Sequence, residues 1–351
     1  MKTDKWMMAV LGAGLMAAGA ARAGSLSPPG APGPTMHTLE EIHQQLLTTQ
    51  QQVADLDARL RAVGCYITSG DMVLIPAGSF VMGATTNMGH ETLYGAVPQH
   101  RVHISAFFMG KHEVTSNLWG AVYTWATSKG YAFSNAGLGK GGDYPVHTVN
   151  WNDCLAWCNA RSQLDGFTPC YANADGTIYT NSTVAFAGVC KWSAAGYRLP
   201  TEAEWEKAAR GGVANRRFPW GDVNTIQHAR ASYFAIPGDF SYDTSPTTGH
   251  HLVFYSPMGG TAPVGSFTPN GYGLYDMAGN VWELCWEPPY SEYYAISPDV
   301  DPRGWAVGGS RAIRGGSWVD NASLCLVAYR VGIPLEHENV AVGFRVARAA
   351  P

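Results

Sequence analysis

Asn270-Gly271-Tyr272-Gly273-Leu274-Tyr275-Asp276-Met277-Ala278-Gly279-Asn280-Val281-Trp282-Glu283 is the stretch that decides how this chain is read. Gly271 and Gly273 permit turn conformations closed to other residues. The same texture runs from residue 212 to the C-terminus. Gly, Asn, Pro and aromatic residues dominate there, no long helical period occurs, and short strands are expected at 311–313 and 343–346. The whole composition agrees. Of 351 residues, 41 are Gly, and 12 Trp, 17 Tyr and 12 Phe add many large rings. Hydrophobic residues make up 46% but charged residues only 14%, against roughly 25% charged in an average soluble protein. Such a chain is a loop-rich globule held by ring packing, not a helix bundle or a disordered polymer. A formal net charge of -4 leaves no basic surplus to neutralise phosphates, which argues against nucleic acid as a partner.

Upstream, regular structure is legible. Residues 72–83 read as strand, turn, strand, and residues 101–109 as a further strand. Helices are expected over 115–128, 151–165 and 201–211. The second starts from Asn150 or Asn152 as a cap, and the third from a Thr201/Glu204 capping box. The domain is therefore α+β with much irregular chain. Glu202, Glu204 and Glu206 read as a capped, partly solvated helix start rather than acid–base groups. Arg198 and Arg345 read as structural ion-pair partners, because charges are so few. Gly315-Gly316 lets the backbone approach closely before Ser317.

Further motifs are Ile75-Pro76-Ala77-Gly78-Ser79-Phe80-Val81-Met82-Gly83, His112-Glu113-Val114-Thr115, Val149-Asn150-Trp151-Asn152-Asp153 and Tyr197-Arg198-Leu199-Pro200-Thr201-Glu202-Ala203-Glu204-Trp205-Glu206. Phe218-Pro219-Trp220-Gly221, Pro263-Val264-Gly265-Ser266-Phe267, Arg314-Gly315-Gly316-Ser317-Trp318 and Gly343-Phe344-Arg345 follow. With the opening stretch, and in this order and spacing, they resemble the formylglycine-generating enzyme family, also called sulfatase-modifying factors. The resemblance covers residues 70–349. It implies a single domain with a complex variant of the C-type-lectin-like fold.

It also implies sites. The family's oxidase members hold one copper ion between two Cys, three and eight residues after the Ser of Gly-Gly-Ser, and oxidise a substrate Cys with dioxygen. Here the second position is Cys325 and the first is Asp320. A carboxylate is a hard ligand and a poor one for copper(I). Three readings follow: an oxidase using another thiol, with Cys285 as the alternative; a different oxygenase, with Asp320, Cys325 and His337 around iron; or a binding or structural protein on the same scaffold. The last is favoured. Ser317 matches a Ser lining the family's substrate groove. The resemblance further implies structural calcium, held by the Asp276 and Glu283 side chains and the Gly279 and Val281 carbonyls, a donor set that suits an oxygen-seeking cation. The family's other calcium site would fall in the divergent stretch 228–262 and is not readable.

The N-terminal part has a separate logic. Residues 1–23 read as a secretory signal peptide: Lys2 and Lys5, an apolar stretch, then Ala21-Arg22-Ala23. The apolar stretch is shorter than the ~20 residues a spanning helix needs, so a secreted or periplasmic protein is expected. Residues 24–37 form a Pro/Gly-rich linker. Thr38 and Glu41 make a capping box. Leu39, Ile42, Leu46, Thr49, Val53, Leu56, Leu60 and Val63 then step by threes and fours, which predicts a coiled coil over 38–64 and a homo-oligomer. Seven Cys are present, an odd number. Cys170 and Cys190 flank a turn-rich insertion and are the natural disulfide pair in an oxidising compartment. His100 and His103 face opposite sides of a strand, and His250-His251 reads as a surface loop.

Overall fold

The structure, a computed structural model, describes residues 71–84, 96–256, 259–290, 292–305 and 308–350, with Thr38, Glu40, Glu41, 43–45, Leu47 and Thr48 near the N-terminus. The chain divides into two compact units, Met1–Ala62 and Val63–Pro351. In the first, the expected capping box is present. The Thr38 amide donates to Glu41 Oε2 at 2.8 Å and the Glu41 amide to Thr38 Oγ1 at 3.2 Å. Glu40, Glu41, 43–45, Leu47 and Thr48 are helical. The seam positions from Leu39 to Val63, the signal peptide and the linker lie outside the described residues.

The second unit begins with β1 (Met72–Ile75) and β2 (Gly78–Met82), the expected strand-turn-strand. The strand expected over 101–109 is two strands, β3 (His100–Ile104) and β4 (Phe107–Gly110). Ser105 ends the first: its amide and hydroxyl both donate to the Asp301 carboxylate at 2.7 Å, which pulls the chain out of the ladder. Three helices follow where expected: α1 (Ser116–Ser128), α2 (Trp151–Leu164) and α3 (Glu202–Ala209). Thr115, Asn150 and Thr201 cap them, the last two through complete capping boxes. Between α2 and α3 lies the short hairpin of β5 (Tyr171–Ala172) and β6 (Val189–Cys190). Beyond α3 come β7 (Trp282–Leu284), a single turn α4 (Tyr293–Ile296), β8 (Ser310–Arg314), β9 (Arg330–Pro334), β10 (Val342–Gly343) and β11 (Ala347–Ala349).

Among the described residues, β1, β4 and β11 form one antiparallel sheet, and β10-β7-β8-β9 a second in which β10 runs parallel to β7. The hairpin of β2 and β3 stands apart. Ring packing fills the space between helices and sheets. Trp119 stacks on Trp157 at 5.8 Å, and Phe344 meets Trp157 edge-on at 5.4 Å. Helix α2 is buried on almost every side, so its sequence lacks an amphipathic stripe. A second apolar cluster gathers Ile75, Met82, Phe107, Trp205, Leu274 and Cys285 around α3.

Helix α3 corrects one expectation. Glu202, Glu204 and Glu206 are not solvated but buried. Glu202 pairs with Arg330 and lies 3.6 Å from Arg314; Glu204 pairs with Arg198 at 2.6 Å. Glu206 takes Arg210 at 2.7 Å and Arg314 at 2.6 Å. The expected Cys170–Cys190 disulfide is also absent, and both thiols are free. The ladder pairs Tyr171, not Cys170, with Cys190. Successive side chains alternate across a strand, so the register sets the two thiols out of step.

Candidate functional site

The candidate site is a corner where the chain leaves β8 and meets the loop before β7. Gly316 has φ +73°, and a Cβ there would lie 2.7 Å from Cys325 Sγ. Only glycine lets this turn close on the thiol. Ser317 is fully buried, and its hydroxyl donates to Asp320 Oδ2. The Asp320 amide donates to the Ser317 carbonyl at 3.1 Å, and the Asp320 carbonyl accepts from the Phe234 amide at 2.8 Å. Burial raises the Asp320 carboxyl above its ordinary range, while the Ser317 hydroxyl opposes the rise. Cys325 has no exposed surface. Burial first, and then the Asp320 charge, hold its thiol well above the usual range, so it stays protonated at neutral pH. Ser317, Asp320 and Cys325 thus come together as the motif order implies, but with a carboxyl and a buried thiol in place of two thiolates.

The neighbouring loop is tied to this corner. The Gly279 amide donates to the Gly315 carbonyl at 2.8 Å and the Trp318 amide to the Asn280 carbonyl at 2.9 Å. Asp276 and Asn280 curl the loop with φ of 57° and 64°, values that few non-glycine residues adopt. Asp276 Oδ2 accepts from the Gly265 amide at 2.7 Å; Oδ1 is buried without a partner. Glu283 receives Arg345 Nε at 2.5 Å on Oε2 and Nη2 at 2.6 Å on Oε1, and Trp205 Nε1 at 2.6 Å on Oε2. A third carboxylate, Glu113, accepts from Asn280 Nδ2 at 2.6 Å and the Val281 amide at 3.1 Å. Glu113 stands in the His112-Glu113-Val114-Thr115 motif, and nothing local in that stretch announces its role, which depends on Asn280 and Val281.

Three carboxylates therefore share one guanidinium, Arg345. Burial pushes Asp276 up to about 6. Burial, then the charges of Asp276 and Glu283, push Glu113 well above the carboxylate range. The donors fit a calcium ion in one respect and are engaged in another. Asp276 Oδ1 is an orphaned buried oxygen, whereas Glu283 is occupied on three of the roughly four lone-pair sites a carboxylate offers. One site on Oε1 remains. Among the described residues, no group of three or more His, Cys, Asp or Glu side chains could hold a metal ion.

The alternative metal sets are not assembled. Cys285 lies in the cluster around α3 and Cys325 in the cluster around α2, so they form no thiol pair. Burial also keeps the Cys285 thiol well above its usual range. His337 is exposed after β9 and pairs with Asn339 at 2.9 Å, away from any iron set with Asp320 and Cys325. His250 is not simply a surface residue: it stacks on Tyr255 at 4.2 Å, and its ring Nδ1 lies 3.2 Å from the Trp318 carbonyl. Phe234 meets His250 edge-on at 4.7 Å. Phe234, His250 and Tyr255 of the divergent segment thus pack onto the corner, which no periodicity there announces.

The family model described as "Sulfatase-modifying factor enzyme 1-like domain" matches residues 64–350. The chain belongs to this family. Within it, the chain is 34% identical over 300 residues to the formylglycine-generating enzyme of Streptomyces coelicolor, covering 79% of this chain and 89% of that one. It is 30% identical over 268 residues to the chaperone protein LppX of Paenibacillus barcinonensis, covering 74% and 83%. Among solved structures, Treponema denticola variable protein 1 superposes with a TM-score of 0.57 at 28% identity, covering 79% of this chain and 94% of that one. The mixed α/β fold is that of the family. Among the described residues, no helix is long and apolar enough to cross a membrane.

Proposed function

We propose that this chain is an exported, non-oxidase member of the family, a binding or assembly domain presented by an N-terminal coiled coil. The single observation that carries the reading is Asp320 in the first thiolate position, hydrogen-bonded by Ser317 and facing a fully buried Cys325. Copper(I) needs soft ligands, and a hard carboxyl in the first position leaves at most one thiol where the family's oxidases use two. A relative named a chaperone rather than an enzyme agrees with a scaffold that serves more than one role. The surface agrees as well. Leu252 and Val253 are 79% and 77% exposed, and the half-exposed Tyr255 lies 6.2 Å from the Trp318 ring. Exposed apolar side chains grouped in this way suit a protein partner.

Calcium enters the proposal as a structural ion. Asp276 would be its principal ligand through Oδ1, with the carbonyls of Gly279 and Val281 and the remaining Glu283 lone pair. The ion would supply the positive charge that Arg345 alone does not give to three carboxylates. Presentation by residues 38–64 would give several copies of the domain, and with them avidity.

Metal analysis of the purified protein tests the reading. One calcium per chain, no retained copper or iron, and no high-affinity site in a copper(I) competition titration are expected. Stoichiometric copper lost on Cys325→Ser would overturn it.

A further inference from the structure

A cavity of about 650 Å³ opens between the β5–β6 hairpin, the chain after β7 and the edge of β8. Its size lies within the roughly 300–1,000 Å³ of small-molecule sites. Phe186, Trp192, Trp286, Arg303 and Arg311 line it, and none of Ser317, Asp320, Cys325, Asp276 or Glu283 does.

The walls are aromatic. Tyr171 stacks behind Trp286 at 5.5 Å and 13°, and Trp192 stands edge-on to Trp286 at 5.7 Å and 88°. Such an arrangement holds Trp286 rigidly and leaves flat apolar surface for a ring. Two guanidinium groups join it. Arg303 is exposed and lies 4.6 Å over the Trp192 ring, with no carboxylate partner among the described residues. Glu204 and Asp301 share a neighbouring cavity with it, but they are committed to Arg198 and to Ser105.

Arg311 is the decisive residue. It is only 6% exposed, and its guanidinium lies 4.1 Å over Trp151. Nη1 donates to the carbonyls of Gly308 and Ser310, both at 2.8 Å, while Nε is buried with no partner. Among the described residues, the other six buried arginines each reach a carboxylate within ion-pair distance. Arg311 does not. Burial pulls its pKa down to about 10. The Glu287 carboxyl that it senses is itself raised by burial to about 8, so at neutral pH it carries a proton and offers little counter-charge. A buried cation without an anion is costly. Placed at the wall of an aromatic cavity, it is satisfied best by an anion that arrives with a ring.

We propose that this cavity binds a small aromatic carboxylate, its ring against Trp192 and Trp286 and its carboxylate between Arg303 and Arg311. Planar guanidinium groups fork carboxylates with paired hydrogen bonds; Arg303, lying over Trp192, can present such a fork, while Arg311, whose Nη1 serves two carbonyls, adds its charge and Nη2. The same chemistry is offered by a free aromatic acid and by the C-terminal aromatic residue of a peptide. The site is independent of the state of Cys325.

The test is titration of the full chain by calorimetry and tryptophan fluorescence. The probes are phenylacetate, its neutral amide, and a tripeptide ending in Phe with a free or an amidated C-terminus. Phenylacetate should bind, and the neutral amide should bind about tenfold more weakly, as loss of a charge-assisted contact implies. Arg303→Gln should weaken phenylacetate by a similar factor and leave the amide unchanged. Arg311→Gln should do the same where circular dichroism shows it folded; Arg303→Gln, at an exposed position, decides the matter otherwise. A free-acid tripeptide that binds more tightly than phenylacetate identifies a peptide terminus as the source, and a weaker one identifies a free acid. Absence of phenylacetate binding, equal affinity for the amide, or indifference to Arg303→Gln would overturn the proposal.

Discussion

Two buried groups of carboxylates stand close to Trp205 and are treated in opposite ways. Around α3, Glu202, Glu204 and Glu206 face four guanidinium groups, those of Arg198, Arg210, Arg314 and Arg330. At the corner, Glu113, Asp276 and Glu283 share Arg345, and Asp320 has a hydroxyl where a cation would be. The first group is satisfied within the chain and behaves as a frame. In the second, Glu113, Asp276 and Asp320 are all pushed upward by burial, and the deficit of positive charge is what a bound ion or partner would relieve. Perturbed groups gathered in one place are the usual mark of a functional site.

The comparison breaks first at the frame. Glu206→Ala removes the anion shared by Arg210 and Arg314 and also the acceptor of the Gly83 amide at 2.8 Å. Removal of one partner from a buried pair costs about 3–5 kcal/mol. Urea unfolding should show that loss, and a change below about 1 kcal/mol would mean the frame is not load-sharing in this way.

A second measurement sharpens the corner. The folded Asp276 titrates near 6, above its ordinary 3.8. A raised carboxyl contributes stability that is complete below its unfolded pKa and is lost as the pH rises through its folded value. That linkage amounts to about 3 kcal/mol. With chelator present, the parent should therefore melt higher near about pH 5 than near about pH 7.5, relative to Asp276→Asn. Added calcium should raise the melting temperature most at the higher pH and do little for Asp276→Ala, which removes the Oδ1 ligand altogether. A calcium response retained in that variant would remove Asp276 from the site.

The smallest effect is expected at Asp320. Its side-chain donors are the Ser317 hydroxyl and Trp282, from which an amide oxygen can also accept, so Asp320→Asn should alter unfolding stability by less than about 1 kcal/mol. A loss as large as that of Glu206→Ala would show that Asp320 carries a full, paired charge.

Much of the frame was legible because its signals are local. Thr201 and Glu204 announce α3 by spacing alone, and a cap at Asn150 or Asn152 announces α2, of which the structure uses Asn150. Glycine at 316 and 273 marks turns whose φ values of 73° and 81° other residues resist. What escaped was set by distant contacts. The burial of Glu202 depends on Arg330, 128 positions away, and Glu113 joins Asn280 from 167 positions away. Ser105 stops a strand only because Asp301 reaches it. The Cys170 and Cys190 spacing suggested a staple, but a one-residue register in a two-residue ladder decides otherwise. At the corner the motif order located Ser317, Asp320 and Cys325, while the seating of Phe234 and His250 over them required the fold.

On the function proposed here, Asp320 beside a buried Cys325 leaves the chain without the oxidase reaction. The direct measurement is mass spectrometry of a Cys-x-Pro-x-Arg peptide after incubation with the protein, copper, a thiol reductant and oxygen. The substrate Cys should be recovered unchanged. Conversion of that Cys to the aldehyde by the unmodified chain, abolished by Cys325→Ser, would contradict it.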